Sequence, residues 1–290
     1  MGWNLPSFVD RDFSLPSGSG GGSSKRVLAA ASGNNDDPRL SLSRSAPVVL
    51  LAHGYLGCRF DLSHIGEALA SEGFLVFAPE YPESLAASYD ATSSDTGMSS
   101  DRTMITNRLL ETLTKEWGVR PTSYGIVGHS LGCGTVDRTG DESWTRVCIA
   151  GGQPSLRGPS CLFIGSRGDG AVPVNRALGT LRGYDFAPLD ERTVRAKSYN
   201  EFLPPRSYLI FDNDSTNAPP PNHISFLSEG TNDAMVGFLS PLLPVARLLK
   251  IPVLDFDRYQ ASRDSGVTGD VVIPLVVEYL KQRMTMMRAS

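Results

Sequence analysis

The sequence predicts a doubly wound α/β domain with a mostly parallel sheet flanked by helices. Three observations carry that expectation. From residue 40 onward, short apolar runs alternate with stretches of helical spacing, the pattern of strands joined by crossover helices. Several of the runs are apolar throughout, as strands buried on both faces are. A chain of 290 residues is long enough for one large core of this kind and does not require a second.

In chain order, residues 48–52 form a continuous apolar run closed by His53-Gly54. Residues 62–71 place Leu62, Ile65, Leu69 and Ala70 near helical spacing, and 74–78 read as the next strand. The Ser/Thr/Asp-rich stretch 84–100 is long enough for a lid or an insertion. Asp101 is placed to cap a helix reaching Trp117, with Met104, Ile105, Leu109 and Leu113 along one side. Further strands are expected at 124–127, 146–150, 161–165 and 207–211. A closing helix over 271–287 offers Ile273, Val276, Val277, Leu280 and Met284 to the sheet. Residues 17–24, Ser-Gly-Ser-Gly-Gly-Gly-Ser-Ser, bury too little apolar surface to offset their ordering entropy. The expected organisation is a flexible N-terminal extension with a Gly/Ser linker over 1–39 and the α/β domain over 40–290.

Composition removes several classes of partner. A net charge of −4 argues against nucleic acid, which needs a concentrated basic surface. No basic run suits anionic lipid, and no stretch of about 18 apolar residues suits a membrane span. The N-terminus lacks the basic start and apolar core of a secretory signal. Gly2 invites myristoylation, but Pro6 stands where Ser or Thr is needed. Asp10 and Asp12 come too early for a transit peptide. A cytoplasmic location is the expectation. The four cysteines (Cys58, Cys133, Cys148 and Cys161) show no C-x-x-C spacing and no histidine at zinc-ligand distance, so free thiols packed as small hydrophobes are expected. No metal or organic cofactor is implied.

The chemistry is concentrated in Gly128-His129-Ser130-Leu131-Gly132, a G-x-S-x-G run placed directly after an expected strand and before an expected helix. That context is the nucleophile elbow of the α/β-hydrolase fold, in which a serine occupies a tight strand-to-helix turn. Small neighbours are required because backbone segments approach closely there, and Gly128 and Gly132 supply the space. In this fold the triad runs Ser, Asp or Glu, then His along the chain. Of the four histidines, only His223 follows Ser130, which makes it the general base by elimination. Asp169, in the glycine-rich turn Gly165–Pro173, is the expected acid, with Asp212 and Asp214 in reserve. The oxyanion hole is expected from the backbone N–H groups of Tyr55, after the first strand, and Leu131, after the serine. His53 reads as a structural residue bridging loops.

The run Leu51-Ala-His-Gly-Tyr-Leu-Gly-Cys-Arg-Phe, followed by Ile65-Gly-Glu-Ala-Leu-Ala-Ser-Glu-Gly-Phe-Leu-Val-Phe-Ala-Pro-Glu80, resembles the platelet-activating-factor acetylhydrolases. Gly128-His-Ser-Leu-Gly-Cys-Gly-Thr-Val136 is similar to their elbow, and His223 with Ser225-Phe226 to their base loop. Chlorophyllase-like and polyester-hydrolase branches share much of this, although chlorophyllases carry Arg where this chain has Leu131. The family places its acid after the strand that follows the elbow. Here that strand ends Ile149-Ala150-Gly151-Gly152-Gln153, without a carboxylate, and Asp169 lies one strand later.

The resulting expectation is a serine carboxylic-ester hydrolase acting on a small or lipid-like ester through an acyl-enzyme. Two alternatives stand beside it: an inactive binding protein of the same fold, and an acyltransferase using the same triad. The apolar segment 235–249 is expected either to line an acyl pocket and touch lipid peripherally, or to pack as an ordinary core helix.

Overall fold

A run of apolar residues with no polar face is stable only in a sheet covered on both sides, and the central strands of this chain meet that condition. The computed structural model describes residues 45–84, 102–196, 202–212, 219–239 and 264–286. Among these, seven strands form one sheet: β1 (Val48–Ala52), β2 (Leu75–Phe77), β3 (Tyr124–His129), β4 (Thr145–Ile149), β5 (Cys161–Ser166), β6 (Ala187–Leu189) and β7 (Arg206–Phe211). Their order is β2-β1-β3-β4-β5-β7-β6, and every pairing is parallel.

Successive side chains on a strand point to opposite faces, so each central strand feeds two cores at once. Val49, Leu51, Val127, Val147, Ile149, Leu162 and Ile164 enter one. Helices α1 (Ser63–Ser71) and α7 (Ser265–Met286) cover that face through Ile65, Leu69, Val272, Val276 and Leu280. Val48, Leu50, Ile126, Cys148, Cys161 and Phe163 enter the other. It is closed by α2 (Arg102–Glu111), with its π-helical continuation Thr112–Glu116, and by α3 (Gly132–Arg138) and α4 (Asn175–Gly183). All four cysteines are free thiols, and Cys133, Cys148 and Cys161 are buried. Among the described residues, no helix is long and apolar enough to cross a membrane.

The expected strands and the doubly wound arrangement are present, with three additions. Strand β6 reads Ala-Pro-Leu and was not anticipated, because proline breaks a strand pattern. It survives because it lies at the sheet edge, where an amide on the open side needs no partner. The short helices α4 and α5 (Glu191–Arg195) were also not anticipated, and α6 (Glu229–Leu239) overlaps only the first residues of the segment 235–249 expected either at an acyl pocket or as a core helix. Finally, α7 starts at Ser265 instead of 271 and runs through Pro274. Its overlooked start signal is Asp264, whose Oδ1 accepts from the amides of Gly266 (2.8 Å) and Val267 (3.3 Å). The extension over 1–39, residues 85–100 of the expected lid, Asp101, Asp214 and residues 240–249 lie outside the described residues.

Candidate active site

Parallel strands all end at the same rim, and the expected site residues gather there. Ala52 is paired with Gly128, His129 with Ile149, and Ser166 with Phe211, so β1, β3, β4, β5 and β7 end together. Ser130 follows β3 directly and sits at φ +54°, a left-handed conformation in a residue that carries a Cβ. Its amide still donates to Ile149 O (2.9 Å), continuing the ladder to β4. The flanking glycines are required by contact. A Cβ on Gly128 would lie 2.5 Å from the backbone of Gly132, and one on Gly132 would lie 2.1 Å from Ala52 O.

Asp169 and His223 meet because β5 and β7 are neighbours. Beyond β5, Ser166 Oγ donates to Pro221 O (2.5 Å) and accepts from Gly168 N (3.0 Å), which stitches the two loops together. Asp169 Oδ1 accepts from the amides of Ala171 (2.9 Å) and Val172 (2.7 Å). Its Oδ2 lies 2.8 Å from His223 Nδ1. That contact puts the ring proton on Nδ1, donating to the carboxylate, and leaves Nε2 with a free lone pair. Asp169 is sealed while His223 keeps some exposure, with side chains 1% and 12% exposed. The reserve candidate Asp212 pairs with Arg167 at 2.7 Å.

The base loop is held from both sides. Asn222 Oδ1 accepts from the amides of Ile224 (3.0 Å) and Ser225 (2.9 Å), and Ser225 Oγ accepts from Asn222 N (3.1 Å), closing a capping box around the 3-10 turn His223–Phe226. From the elbow side, His129 Nε2–H donates to His223 O (3.0 Å), and the two rings stand 4.7 Å apart. His129 therefore ties the residue before Ser130 to the base loop. Ser130 Oγ and the His223 ring share a rim without a direct hydrogen bond between them.

The loop after β1 lies against the serine. A Cβ on Gly54 would come 3.1 Å from Ser130 Cβ. Among the described residues, neither the Tyr55 nor the Leu131 amide donates to a protein acceptor. His53 bridges loops as expected: its Nε2 accepts from Tyr81 N (3.0 Å) and its Nδ1–H donates to Gly54 O (2.8 Å).

The strand order, with a left-handed serine after β3, an acid after β5 and a histidine after β7, decides the architecture. The chain has the α/β-hydrolase fold. Residues 28–122 match the family described as platelet-activating factor acetylhydrolase, isoform II. That stretch contains Tyr55 and ends before Ser130, so it takes in the first two motifs of the resemblance and not the serine or His223 segments. Two similar solved structures are an esterase of Pyrococcus furiosus and a dienelactone hydrolase of Anabaena variabilis. The first is 13% identical over 83% of this chain and 85% of that one, with a TM-score of 0.45. The second is 18% identical over 68% and 85%, with a TM-score of 0.39. No curated protein matches the chain.

Burial sets the protonation of the groups around the site. It holds His129 well below the usual imidazole range and brings His64 down to about 4, so both rings are neutral near pH 7. Burial also pushes the Asp61 carboxyl up to about 6, although His53 and the Cys58 amide favour its charge. Among the described residues, no group of three or more His, Cys, Asp or Glu is arranged to hold a metal ion. Sequence reasoning missed the Asn222–Ser225 box, which the Asn-x-x-Ser spacing signals. It also missed Arg102, for which no local pattern exists.

Proposed function

We propose that this α/β-hydrolase is a serine-dependent carboxylic-ester hydrolase working through an acyl-enzyme. The observation that carries the reading is the 2.8 Å Asp169–His223 hydrogen bond, set on the same rim as a serine held at φ +54°. In the proposed reaction, His223 Nε2 takes the Ser130 hydroxyl proton as Oγ attacks the ester carbonyl. Asp169 keeps the other ring proton on Nδ1 and stabilises the imidazolium. The Tyr55 and Leu131 amides receive the oxyanion. The imidazolium then gives its proton to the leaving alcohol, and water repeats the sequence to release the acid.

Apolar surface around this centre favours an acyl or lipid-like ester. Tyr55 is 65% exposed, and Leu56 and Leu131 are exposed beside it. The name of the matching family, an acetylhydrolase, supports an ester of a short acyl chain. The test is a p-nitrophenyl ester panel of increasing acyl length, with fluorophosphonate labelling, on wild type and Ser130→Ala. Turnover and labelling are both expected in the wild type. Ser130→Ala should lose labelling altogether and turnover by about 10⁴-fold or more. Labelling that persists in Ser130→Ala would refute the nucleophile. Added acceptor alcohols, with product analysis, separate hydrolysis from acyl transfer. An inactive binding protein would turn over nothing in the panel.

A further inference from the structure

The peptide unit that carries the Tyr55 N–H also contains the Gly54 carbonyl, and that carbonyl is unusually well held. It accepts from His53 Nδ1 (2.8 Å), from Arg102 Nη2 (3.2 Å) and, as a turn bond, from Gly57 N (3.3 Å). The same guanidinium sends Nη1 to the preceding carbonyl, His53 O, at 2.7 Å. Two successive carbonyls of one loop thus sit on one planar fork, a geometry that a lysine ammonium cannot reproduce. On the other side of the ring, His53 Nε2 faces the Tyr81 amide (3.0 Å) and Glu80 Oε1 (3.3 Å), which fixes the ring with Nδ1 turned to Gly54 O.

We propose that Arg102, seconded by His53, is a positioning residue that aims the Tyr55 amide at the oxyanion by clamping the Gly54 carbonyl. A trans peptide is planar, so its C=O and N–H point in opposite directions. Fixing the carbonyl toward Arg102 fixes the N–H on the opposite side. Donors on the oxygen also polarise the amide and strengthen its N–H as a donor. The clamp is anchored independently of the loop. Arg102 Nε pairs with Glu83 Oε1 (2.5 Å), its guanidinium lies 4.3 Å from the centre of the Tyr81 ring, and Nη1 reaches Thr135 Oγ1 (3.4 Å) on α3. Because α3 begins one residue after Leu131, one side chain spans the two segments that supply the proposed donors. Leu56 stands at φ +57°, where glycine is favoured, and such strain persists only in a loop held from outside.

This inference rests on the esterase reading, and its test separates the two. The full-length protein is assayed as wild type, Arg102→Gln, Arg102→Lys and Ser130→Ala, with thermal unfolding of each. The substrate is the best ester of the panel, and an aryl boronic acid serves as the tetrahedral mimic. Arg102→Gln should lower kcat by about 10- to 100-fold, with KM within about twofold, and weaken boronate inhibition by a similar factor. Arg102→Lys, which keeps the charge and not the fork, should lower kcat about fivefold or more at unchanged KM. It is the deciding variant if Arg102→Gln does not fold. A lowered melting temperature with wild-type kcat and boronate affinity overturns the clamp and leaves a mere strut. A wild type that neither turns over esters nor takes fluorophosphonate at Ser130 overturns the esterase reading, and the clamp with it.

Discussion

Asp169 Oδ2 and His223 Nδ1 are 2.8 Å apart although 54 positions separate the two residues in the chain. The meeting is made by strand order. β5 and β7 pair along six residues, from Cys161 with Arg206 to Ser166 with Phe211, and each delivers its loop to the same corner of the rim. Asp169→Asn keeps an oxygen for the Ala171 and Val172 amides but presents an amide, instead of a carboxylate, to His223. We expect kcat to fall by roughly 10³- to 10⁴-fold with the fold intact, because the imidazole loses its tautomer. Steady-state kinetics beside a melting curve measure both. Activity within about tenfold of wild type would remove Asp169 from the triad.

Gly132→Ala tests the close approach behind the elbow. The added methyl would sit 2.1 Å from Ala52 O, a backbone atom of a central strand that cannot swing away. A loss of about 1–3 kcal/mol, or failure to accumulate as folded protein, is expected. Chemical denaturation of the purified variant reads it. Gly134→Ala, two residues further on with nothing within 4 Å of the added atom, is the matched control and should cost little.

Arg146 is fully buried, and its guanidinium is satisfied by carbonyl oxygens alone. It donates to Val136 (3.3 Å), Trp144 (2.9 Å), Thr139 (3.0 Å), Asp141 (2.6 Å) and Arg157 (3.4 Å). Arg146→Met fills the space and leaves those acceptors without donors. The expected cost is about 3–5 kcal/mol. Arg146 enters β4 at the end away from the rim, so ester turnover per folded molecule should stay near wild type. A melting curve paired with active-site titration separates the two effects.

Asp61 supplies a pH dependence of known sign. Its carboxyl is raised from 3.8 to about 6, chiefly by burial, so the folded state holds the proton more tightly than the unfolded chain. Its contribution to stability is therefore full below about pH 4 and lost as pH rises through 6. About two pH units correspond to on the order of 3 kcal/mol. Asp61→Asn keeps an oxygen for the Cys58 amide and cannot ionise. Relative to wild type it should gain stability progressively between pH 4 and 6 and keep the gain at pH 8. A wild-type-minus-variant difference that is flat across that range would contradict the burial argument.

Much of this architecture is written locally. Residues 48–52, 124–127, 147–150 and 161–165 carry no charged residue, as strands covered on both faces do, and all four lie in the sheet interior. The elbow motif is equally local, because Gly128 makes room for the backbone of Gly132 within five residues, although Gly132 itself must also clear Ala52 O of β1. The proposal of His223 as base draws on order alone, because it is the one histidine after Ser130. Other elements were hidden for physical reasons. Pro188 and Pro274 mask an edge strand and the middle of a helix, where exposure at the sheet edge and packing against the core override local preference.

Sequence alone determined the doubly wound class, the tight turn at the serine and the choice of His223 as the proposed base, since each follows from short-range sterics or from order along the chain. Only the tertiary structure distinguishes Asp169 from Asp212, turning one toward His223 and the other toward Arg167. It alone carried Arg102, from the start of α2, to two carbonyls beyond β1. Those contacts depend on which strands are neighbours and on where a long side chain can reach through the core, and neither leaves a pattern in the residues beside it.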